Sequence, residues 1–474
     1  MTVTAPRAPW SARLAERALR RNLAAGILGV GARASQLLVL LVMNRLFGSA
    51  TAGLFLVGFG LFEIASSVVA TGFTDGAMLL VSRGSGAADG APPDAGPLAR
   101  VIATGVWLGG TAALLLAAAV TGLASAIAPH LPGSYQAVMP AIAWLAWALP
   151  PLVVARVCFA ATTGFLRPEW ESLAGSAAPA VVILAGLPIA HALGAGVRGL
   201  FTTVLVAQLI NAGIAVVAVC RWLGARALWQ ALCRPWRDGF VSLDRALVRF
   251  ALPQSLNMAA NTYLARVDVL LLAAAGMPAA AIGVYGSAAA IVLELRQIRT
   301  LVSGALAPIV ARHHAAGDRP AIARALSRSA GWVATLAVPA ALLFLIFRSN
   351  LLRTIAPGYT GSAAFLPVLV LGPVVNCLGG LSGNFLIYLL RNRWNLANAL
   401  AVAVLATVLG GPAVRAFGLT GAALISAGAM ASITLLENIE LALLERVRIA
   451  GRALVPAVAT FAAGAAVILA FGGR

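Results

Sequence analysis

Arginine, glutamate and aspartate recur in the same order at two distant places in the chain, each time beside or within apolar stretches. Each place has an arginine, a Gly-x-aromatic sequence, a glutamate, and then an arginine and an aspartate. The residues are Arg33, Gly53-Leu54-Phe55, Glu63, Arg83 and Asp89 in the first place, and Arg266, Gly283-Val284-Tyr285, Glu294, Arg312 and Asp318 in the second. Because an ionised side chain in hydrocarbon costs at least about 2.5 kcal/mol, charges that occur twice indicate helices lining an internal polar pathway. The repeated order also predicts a duplicated architecture.

The charged residues of the apolar stretches suit the binding of an anion with several oxygens, such as a diphosphate. A guanidinium group binds phosphate with two parallel hydrogen bonds and stays ionised at any accessible pH. The candidate substrate-binding residues are Arg33, Arg266, Arg296, Arg299 and Arg156. The candidate charge-balancing or coupling residues are Glu63, Asp268 and Glu294. Arginine is in excess, so we expect a cavity with a net positive charge.

Arg33 and Arg266 are expected to face each other across this cavity and to hold the diphosphate, while Arg296 and Arg299 pass it along. Arg266 and Asp268 are two positions apart on one helix, so they point to different faces and each should pair with another helix. The alternative is that these charges form structural ion pairs inside a helical bundle. No residue is assigned a catalytic role.

The composition predicts a membrane protein made of helices. Hydrophobic residues make up 61% of the chain and charged residues 10%, which is too little charge for the surface of a soluble domain of 474 residues. A transmembrane helix needs about 20 mostly apolar residues, whereas a membrane barrel would show shorter segments of alternating polarity, which are absent. The predicted spans are 23–46, 52–80, 100–128, 137–163, 173–193, 199–222, 249–275, 280–309, 328–348, 363–390, 394–416, 420–444 and 453–472.

The positive charge follows the predicted topology. Arginines concentrate before the first span and in alternate loops, which places the N-terminus in the cytoplasm. The net charge of +19 therefore indicates topology and contact with anionic membrane lipids, and no nucleic-acid partner is predicted. The four cysteines lack CxxC spacing, and the four histidines do not form a metal site. A P-loop is absent, so no ATP hydrolysis and no cofactor are expected.

The domain organisation is expected to follow the repeat. Residues 1–22 form a cytoplasmic amphipathic segment, 23–223 an N-lobe of six helices, and 224–248 a basic cytoplasmic linker. Residues 249–446 form a C-lobe of six helices, and 447–474 add one C-terminal helix. Because each half has an even number of spans, the repeats have parallel topology around a central cavity and are expected to operate by alternating access.

The residues at the start of each half carry a family resemblance. Arg21-Asn22-Leu23 through Leu46-Phe47-Gly48, followed by Ala52-Gly53-Leu54-Phe55, resembles the first two spans of polysaccharide and O-antigen flippases. Ala311-Arg312-His313 to Gly317-Asp318 resembles the matching part of the second repeat. These flippases belong to the multidrug/oligosaccharidyl-lipid/polysaccharide exporter superfamily, and the likeness extends from residue 20 to about residue 450.

The resemblance implies a twelve-helix core that moves a polyprenyl-diphosphate-linked oligosaccharide from the inner to the outer leaflet of a bacterial cytoplasmic membrane. It implies a transporter and not an enzyme, in contact with membrane lipids and acting as a monomer. A polysaccharide polymerase or glycosyltransferases are the candidate protein partners. The driving force stays open between the membrane voltage and antiport of H⁺ or Na⁺ through Glu63 or Asp268.

Three other functions are weighed against this one. A multidrug cation antiporter of the same superfamily would need an acidic cavity, and the excess of arginine opposes it. A lipid II flippase would share the arginine-lined cavity but typically has fourteen spans, against the thirteen predicted here. A membrane-embedded glycosyltransferase or ligase would be expected to carry catalytic acids or histidine on a large outer loop, and the longest predicted outer loop, around Arg348 to Ser362, has none.

Overall fold

The computed structural model describes residues 12–84, 95–130, 134–164, 170–238, 244–299, 310, 313, 318–356, 363–388, 392–449 and 451–471. Side chains are described for most of these residues but not for residues 12–34. The side chain of Arg33 and the motif residues Asp89 and Arg312 therefore lie outside the described part of the chain, as does the side chain of Arg83.

The fold is entirely helical over the described residues, which contain no strand. This confirms the predicted all-α class. The α-helices are α1 (Ala12–Ser66), α2 (Gly72–Gly84), α3 (Ala95–Ile127), α4 (Ser134–Ala146), α5 (Leu149–Gly164), α6 (Ala178–Ala192), α7 (Gly196–Leu223), α8 (Ala225–Asp238), α9 (Arg245–Ala274), α10 (Ala279–Leu293), α11 (Arg319–Ile346), α12 (Arg348–Ile355), α13 (Phe365–Leu378), α14 (Ser382–Tyr388), α15 (Asn392–Leu444) and α16 (Val455–Phe471).

Two glycines divide the longest helices into pairs of segments. The backbone of α1 leaves helical geometry at Gly48 (φ 79°, ψ 165°), and that of α15 does so at Gly418 (φ 56°, ψ −129°). A residue with a Cβ rarely adopts such a φ, so glycine allows the sharp break. The predicted boundaries between spans, at 46/52 and 416/420, enclose these two positions.

The apolar helices define a multi-pass membrane protein. Within the described residues, seven helical segments are long and apolar enough to cross a membrane by length and composition, and α6 and α13 are shorter apolar helices. Large apolar side chains face outward, as at Leu115, which is 72% exposed, and Leu193, which is 76% exposed. Such surfaces suit lipid, which is as apolar as leucine. The count of thirteen spans and the layout of the repeats stay predictions.

The chain forms two compact units. The first comprises Met1–Val42, Leu61–His130 and Ala137–Ala259, and the second comprises Met43–Gly60, Leu131–Gln136 and Ala260–Arg474. In the first, α5 packs against α2, α3 and α7. In the second, α13 packs against α11 and α15, and α16 packs against α11. The six-helix lobes predicted from the sequence stay a prediction, because part of α1 belongs to the second unit.

Each repeated motif contains a break in α-helical geometry at or shortly after its glutamate. After Glu63, residues Ser67–Thr71 form a π-helical turn between α1 and α2. After α10, residues Glu294–Arg296 form a 3-10 turn. Departures of this kind inside apolar helices are tolerated where neighbouring protein groups satisfy the backbone, and they often occur at functional sites. The side chains of Ser66 and Ser67 donate to the carbonyl of Glu63, at 2.8 and 2.9 Å.

Candidate functional site

A small polar cavity inside the second unit brings together two of the predicted arginines. It has a volume of about 60 Å³, enough for a few water molecules or one phosphate group. Its lining comes from α9, from the turn that follows α10, and from α13 and α15. The polar lining residues are Asn261, Arg296, Arg299, Asn376 and Glu437.

The turn after α10 places the two arginines together. Arg296 ends the 3-10 turn that begins at Glu294, and Arg299 follows three positions later. Residues three positions apart lie on one face of a helical turn, so both guanidinium groups reach the same cavity. The sequence predicted both residues as substrate ligands, and their convergence depends on this turn.

A chain of hydrogen bonds orients Arg299. Its Nη1 donates to Oδ1 of Asn376, whose Nδ2 donates to Oγ1 of Thr434 at 2.9 Å. The Thr434 hydroxyl donates to the carbonyl of Met430 at 2.8 Å, which fixes the direction of the chain. Asn376 is on α13 and Thr434 on α15, so two packed helices hold the guanidinium in place.

Arg299 keeps an unused donor. Its Nε is buried and has no hydrogen-bond partner among the described residues. Buried polar groups are nearly always bonded, and leaving one unsatisfied costs about 1–3 kcal/mol. A donor of this kind beside a cavity is suited to a ligand oxygen.

Glu437 supplies the negative charge of the cavity. Its side chain is 8% exposed, and Oε2 accepts a hydrogen bond from Ser382 at 2.8 Å. It interacts electrostatically with both Arg296 and Arg299. A buried charge needs such partners, so Glu437 balances the arginines while the cavity is empty.

Asp268 lies in a separate buried network of the second unit. It is 2% exposed, and Oδ2 accepts a hydrogen bond from the hydroxyl of Tyr285 at 2.9 Å. Ser426 on α15 also hydrogen-bonds to its side chain. Asp268 therefore joins α9 to α10 and α15, and Arg266, two positions away on α9, also interacts with it electrostatically. Its predicted charge-balancing or coupling role stays a prediction.

Arg266 and Glu294 lie next to residues of the cavity wall but are not part of it. Both side chains are partly buried. Arg266 follows Ala265, which lines the cavity, and its side chain packs against Gly60 of α1, where a Cβ would lie 3.7 Å from that of the arginine. Both residues take part in polar or electrostatic interactions.

Arg156 stands in the first unit, in acidic surroundings. It lies on α5, and its electrostatic partners are Glu63, Glu171 and Asp75. Oε2 of Glu171 accepts from Thr163 at 2.6 Å, and Oδ2 of Asp75 accepts from Gln254 at 2.8 Å. Three carboxylates against one guanidinium make this region acidic, unlike the arginine-rich cavity of the second unit.

Three carboxylates were missed in the sequence analysis. Asp75 is on α2, and Glu437 and Glu440 are on α15, all within predicted spans. Glu440 accepts from Asn398 at 2.9 Å and is not among the cavity residues. With these acids included, the predicted spans contain six carboxylates against the five arginines that were named as candidate ligands. The signal was present, since each is an ionisable residue within an apolar stretch.

The motif residue Asp318 has a local structural role. Its Oδ1 accepts a hydrogen bond from the backbone N–H of Ala321 at 2.9 Å, which caps the N-terminus of α11. His313 lies 3.6 Å from its other carboxylate oxygen. A capping aspartate satisfies helix donors that have no partner in the helix.

The described residues form a multi-pass helical membrane protein with charged residues in its interior. No protein-family model and no curated protein sequence matches the chain. Solved structures do. The chain is similar to the lipid II flippase MurJ in an inward closed conformation, with a TM-score of 0.72, 11% identity, and coverage of 95% of this chain and 93% of that one.

Multidrug transporters share the fold as well. An inward-facing MATE family transporter of the MOP superfamily matches with a TM-score of 0.67 and 15% identity, over 89% of this chain and 99% of that one. The Vibrio cholerae MATE transporter VcmN in the bent form matches with a TM-score of 0.59 and 16% identity, over 95% of this chain and 99% of that one. The chain thus has the fold of MOP-superfamily transporters and flippases.

Proposed function

We propose that this protein is a flippase that moves a polyprenyl-diphosphate-linked oligosaccharide from the inner to the outer leaflet by alternating access. The observation that carries the proposal is the convergence of Arg296 and Arg299 on one polar cavity at which Arg299 presents an unpaired buried Nε. A diphosphate offers several oxygens to such donors, and charge-assisted bonds to them are strong.

The cavity is suited to the phosphate part of the substrate only. A volume of about 60 Å³ has no room for an oligosaccharide, so the glycan requires a more open conformation. Asn261 and Asn376 line the same space and can hydrogen-bond a sugar hydroxyl next to the phosphate. Arg33 and Arg266 are further proposed ligands, assigned from the repeated motif.

The driving force follows from the charge of the head group. When the cell interior is negative, outward movement of one negative charge is favourable by about 2.3 kcal/mol per 100 mV of membrane potential. A diphosphate can therefore be exported by voltage alone. Coupling to H⁺ or Na⁺ through Glu63 is a second route within the proposal, whereas Asp268 is occupied by its bonds to Tyr285 and Val269.

The fold of the lipid II flippase supports a lipid-diphosphate substrate, and lipid II is itself a substrate within this proposal because the head-group chemistry is shared.

A single observation favours the second candidate, a multidrug cation antiporter. This is the acidic region around Arg156, where Glu63, Glu171 and Asp75 would attract an organic cation.

Transport in vesicles tests the proposal. The full-length chain is reconstituted, and transbilayer movement of a polyprenyl-diphosphate sugar is measured for Arg296→Gln and Arg299→Gln. We expect at least a tenfold loss for Arg299→Gln, because two or more charge-assisted bonds of about 1.5–3 kcal/mol each are removed. Arg353→Gln, an exposed arginine outside the cavity, is the matched control and should keep the wild-type rate.

The outcomes separate the candidate functions. Wild-type rates in both cavity variants would remove the diphosphate role of this site. Efflux of a cationic dye that depends on Glu63 and Asp75, without movement of the lipid-linked sugar, would instead establish the antiporter. A polymerase or glycosyltransferase partner and the monomeric state are further predictions, which co-purification and mass measurement in detergent can check.

A further inference from the structure

A larger groove lies in the second unit, away from the polar cavity. It has a volume of about 410 Å³ and is formed by the first turns of α11 together with the chain that links α15 to α16. The lining residues are Ala323, Arg324, Ser327, Arg328, Arg448 and Ala453. Three of these six residues are arginines and none is acidic, so the groove is complementary to an anion.

The face of α11 that carries the groove changes from basic to apolar along the helix. Arg324, Arg328, Trp332 and Leu336 follow one another at four-residue spacing, which places them on one helix face. Both arginines are exposed, Trp332 is 55% exposed and Leu336 is 57% exposed. The order of charge, tryptophan and leucine matches the order of head group, interface and hydrocarbon in a bilayer.

The position along the membrane normal agrees with this reading. The groove lies at the beginning of α11, at the end of α15 and before the start of α16, a level that the arginine distribution assigns to the cytoplasmic side. Anionic lipids give the cytoplasmic leaflet its negative surface potential, and basic pockets between helices on that side suit their head groups. A soluble phosphate would occupy only part of the groove and would leave the apolar continuation of the face uncovered.

We propose that this groove binds the head-group phosphate of an anionic membrane phospholipid, whose acyl chains lie along Trp332 and Leu336. Arg324 and Arg328 contact the phosphate from α11 and Arg448 contacts it from the other wall. Because α16 packs on α11 beside the groove, the bound lipid also stabilises the attachment of α16. The proposal does not depend on the identity of the transported substrate.

Thermal unfolding of the full-length chain in detergent tests the site. The unfolding midpoint is followed during titration with dioctanoyl phosphatidylglycerol, dioctanoyl phosphatidylcholine or sodium phosphate. We expect a saturable rise with phosphatidylglycerol only. Each of the variants Arg324→Gln, Arg328→Gln and Arg448→Gln should weaken the apparent affinity about fivefold, the effect of losing about 1 kcal/mol per arginine. The triple variant should lose saturation in the same concentration range.

A charge-matched control separates a built site from general attraction. The triple variant of Arg198, Arg353 and Arg415 to glutamine removes the same charge from three exposed positions outside the groove, and it should keep the wild-type affinity. Trp332→Ala should weaken binding of the lipid while leaving the arginines intact. Equal weakening by both triple variants, an undiminished response in the groove variants, or an equal response to phosphatidylcholine or sodium phosphate would each overturn the proposal.

Discussion

Gly53 and Gly283, the equivalent glycines of the two repeated motifs, contact each other inside the second unit. A Cβ on Gly53 would overlap the carbonyl oxygen of Ala279 and lie 2.8 Å from the backbone nitrogen of Gly283. Reciprocally, a Cβ on Gly283 would overlap the carbonyl oxygen of Ser49 and lie 2.9 Å from the nitrogen of Gly53. The backbones of α1 and α10 thus approach so closely that only glycine fits at either position, as in other membrane helix pairs.

Substitution of either glycine should destabilise the protein. For Gly53→Ala and Gly283→Ala we expect a loss of about 1–3 kcal/mol, because the methyl group meets a backbone that cannot yield easily. The thermal midpoint in detergent measures this. Gly213→Ala is the control, since a Cβ there meets nothing within 4 Å, and it should be neutral or slightly stabilising. Equal midpoints for all three variants would show that the two helices do not touch at these glycines.

The cavity carboxylate should act as an internal competitor of the substrate phosphate. Replacing Glu437 with glutamine removes a negative charge beside Arg296 and Arg299 while keeping an acceptor for Ser382. We expect about tenfold tighter binding of a lipid-diphosphate sugar, because the substitution removes the repulsion between the Glu437 carboxylate and the phosphate. At an intermediate dielectric constant, a repulsion of this kind is large enough for such a change in affinity. Glu440→Gln, outside the cavity wall, should leave the affinity unchanged. Binding is measured by fluorescence titration with the full-length protein, and weaker binding by the Glu437 variant would contradict the competitor role.

The Asp268–Tyr285 bond should contribute to stability and not to substrate binding. Tyr285→Phe leaves a buried carboxylate with one donor fewer, so a loss of about 1–3 kcal/mol is expected. Tyr263→Phe removes an exposed hydroxyl contact to Thr407 and should cost much less. Unfolding midpoints of both variants give the comparison. A transport defect in Tyr285→Phe at full stability would instead assign Asp268 to coupling.

Arg156 should hold the acidic region of the first unit together. Arg156→Gln leaves Glu63, Glu171 and Asp75 without their guanidinium, and because the side chains of Arg156 and Glu171 are exposed to solvent, we expect a loss of only about 0.2–1 kcal/mol. Adding Glu171→Gln should restore part of the lost stability, because it relieves repulsion among the remaining acids. A double-mutant cycle on the unfolding midpoint measures this coupling, and strictly additive effects would show that the two residues do not interact.

Some features of the site could be predicted and others could not. Arg296 and Arg299 were identified from the sequence because an arginine inside an apolar stretch costs free energy unless it faces a polar partner in the protein interior. The position of Arg156 among three acids could not be foreseen, since Glu63, Asp75 and Glu171 come from different helices. The sequence predictions omitted Asp75, Glu437 and Glu440, although each is an ionisable residue within a predicted span.

The sequence by itself determined the helical class, the apolar segments and the span boundaries that enclose Gly48 and Gly418, because hydrophobicity acts over a few neighbouring residues. Only the tertiary structure decided that Glu437 and Asn376 join Arg296 and Arg299 at one cavity while Asp268 is bonded elsewhere. Those partners are far apart in the chain, and their meeting depends on how α9, α10, α13 and α15 pack and on the 3-10 turn at Glu294–Arg296, which directs both guanidinium groups to one side.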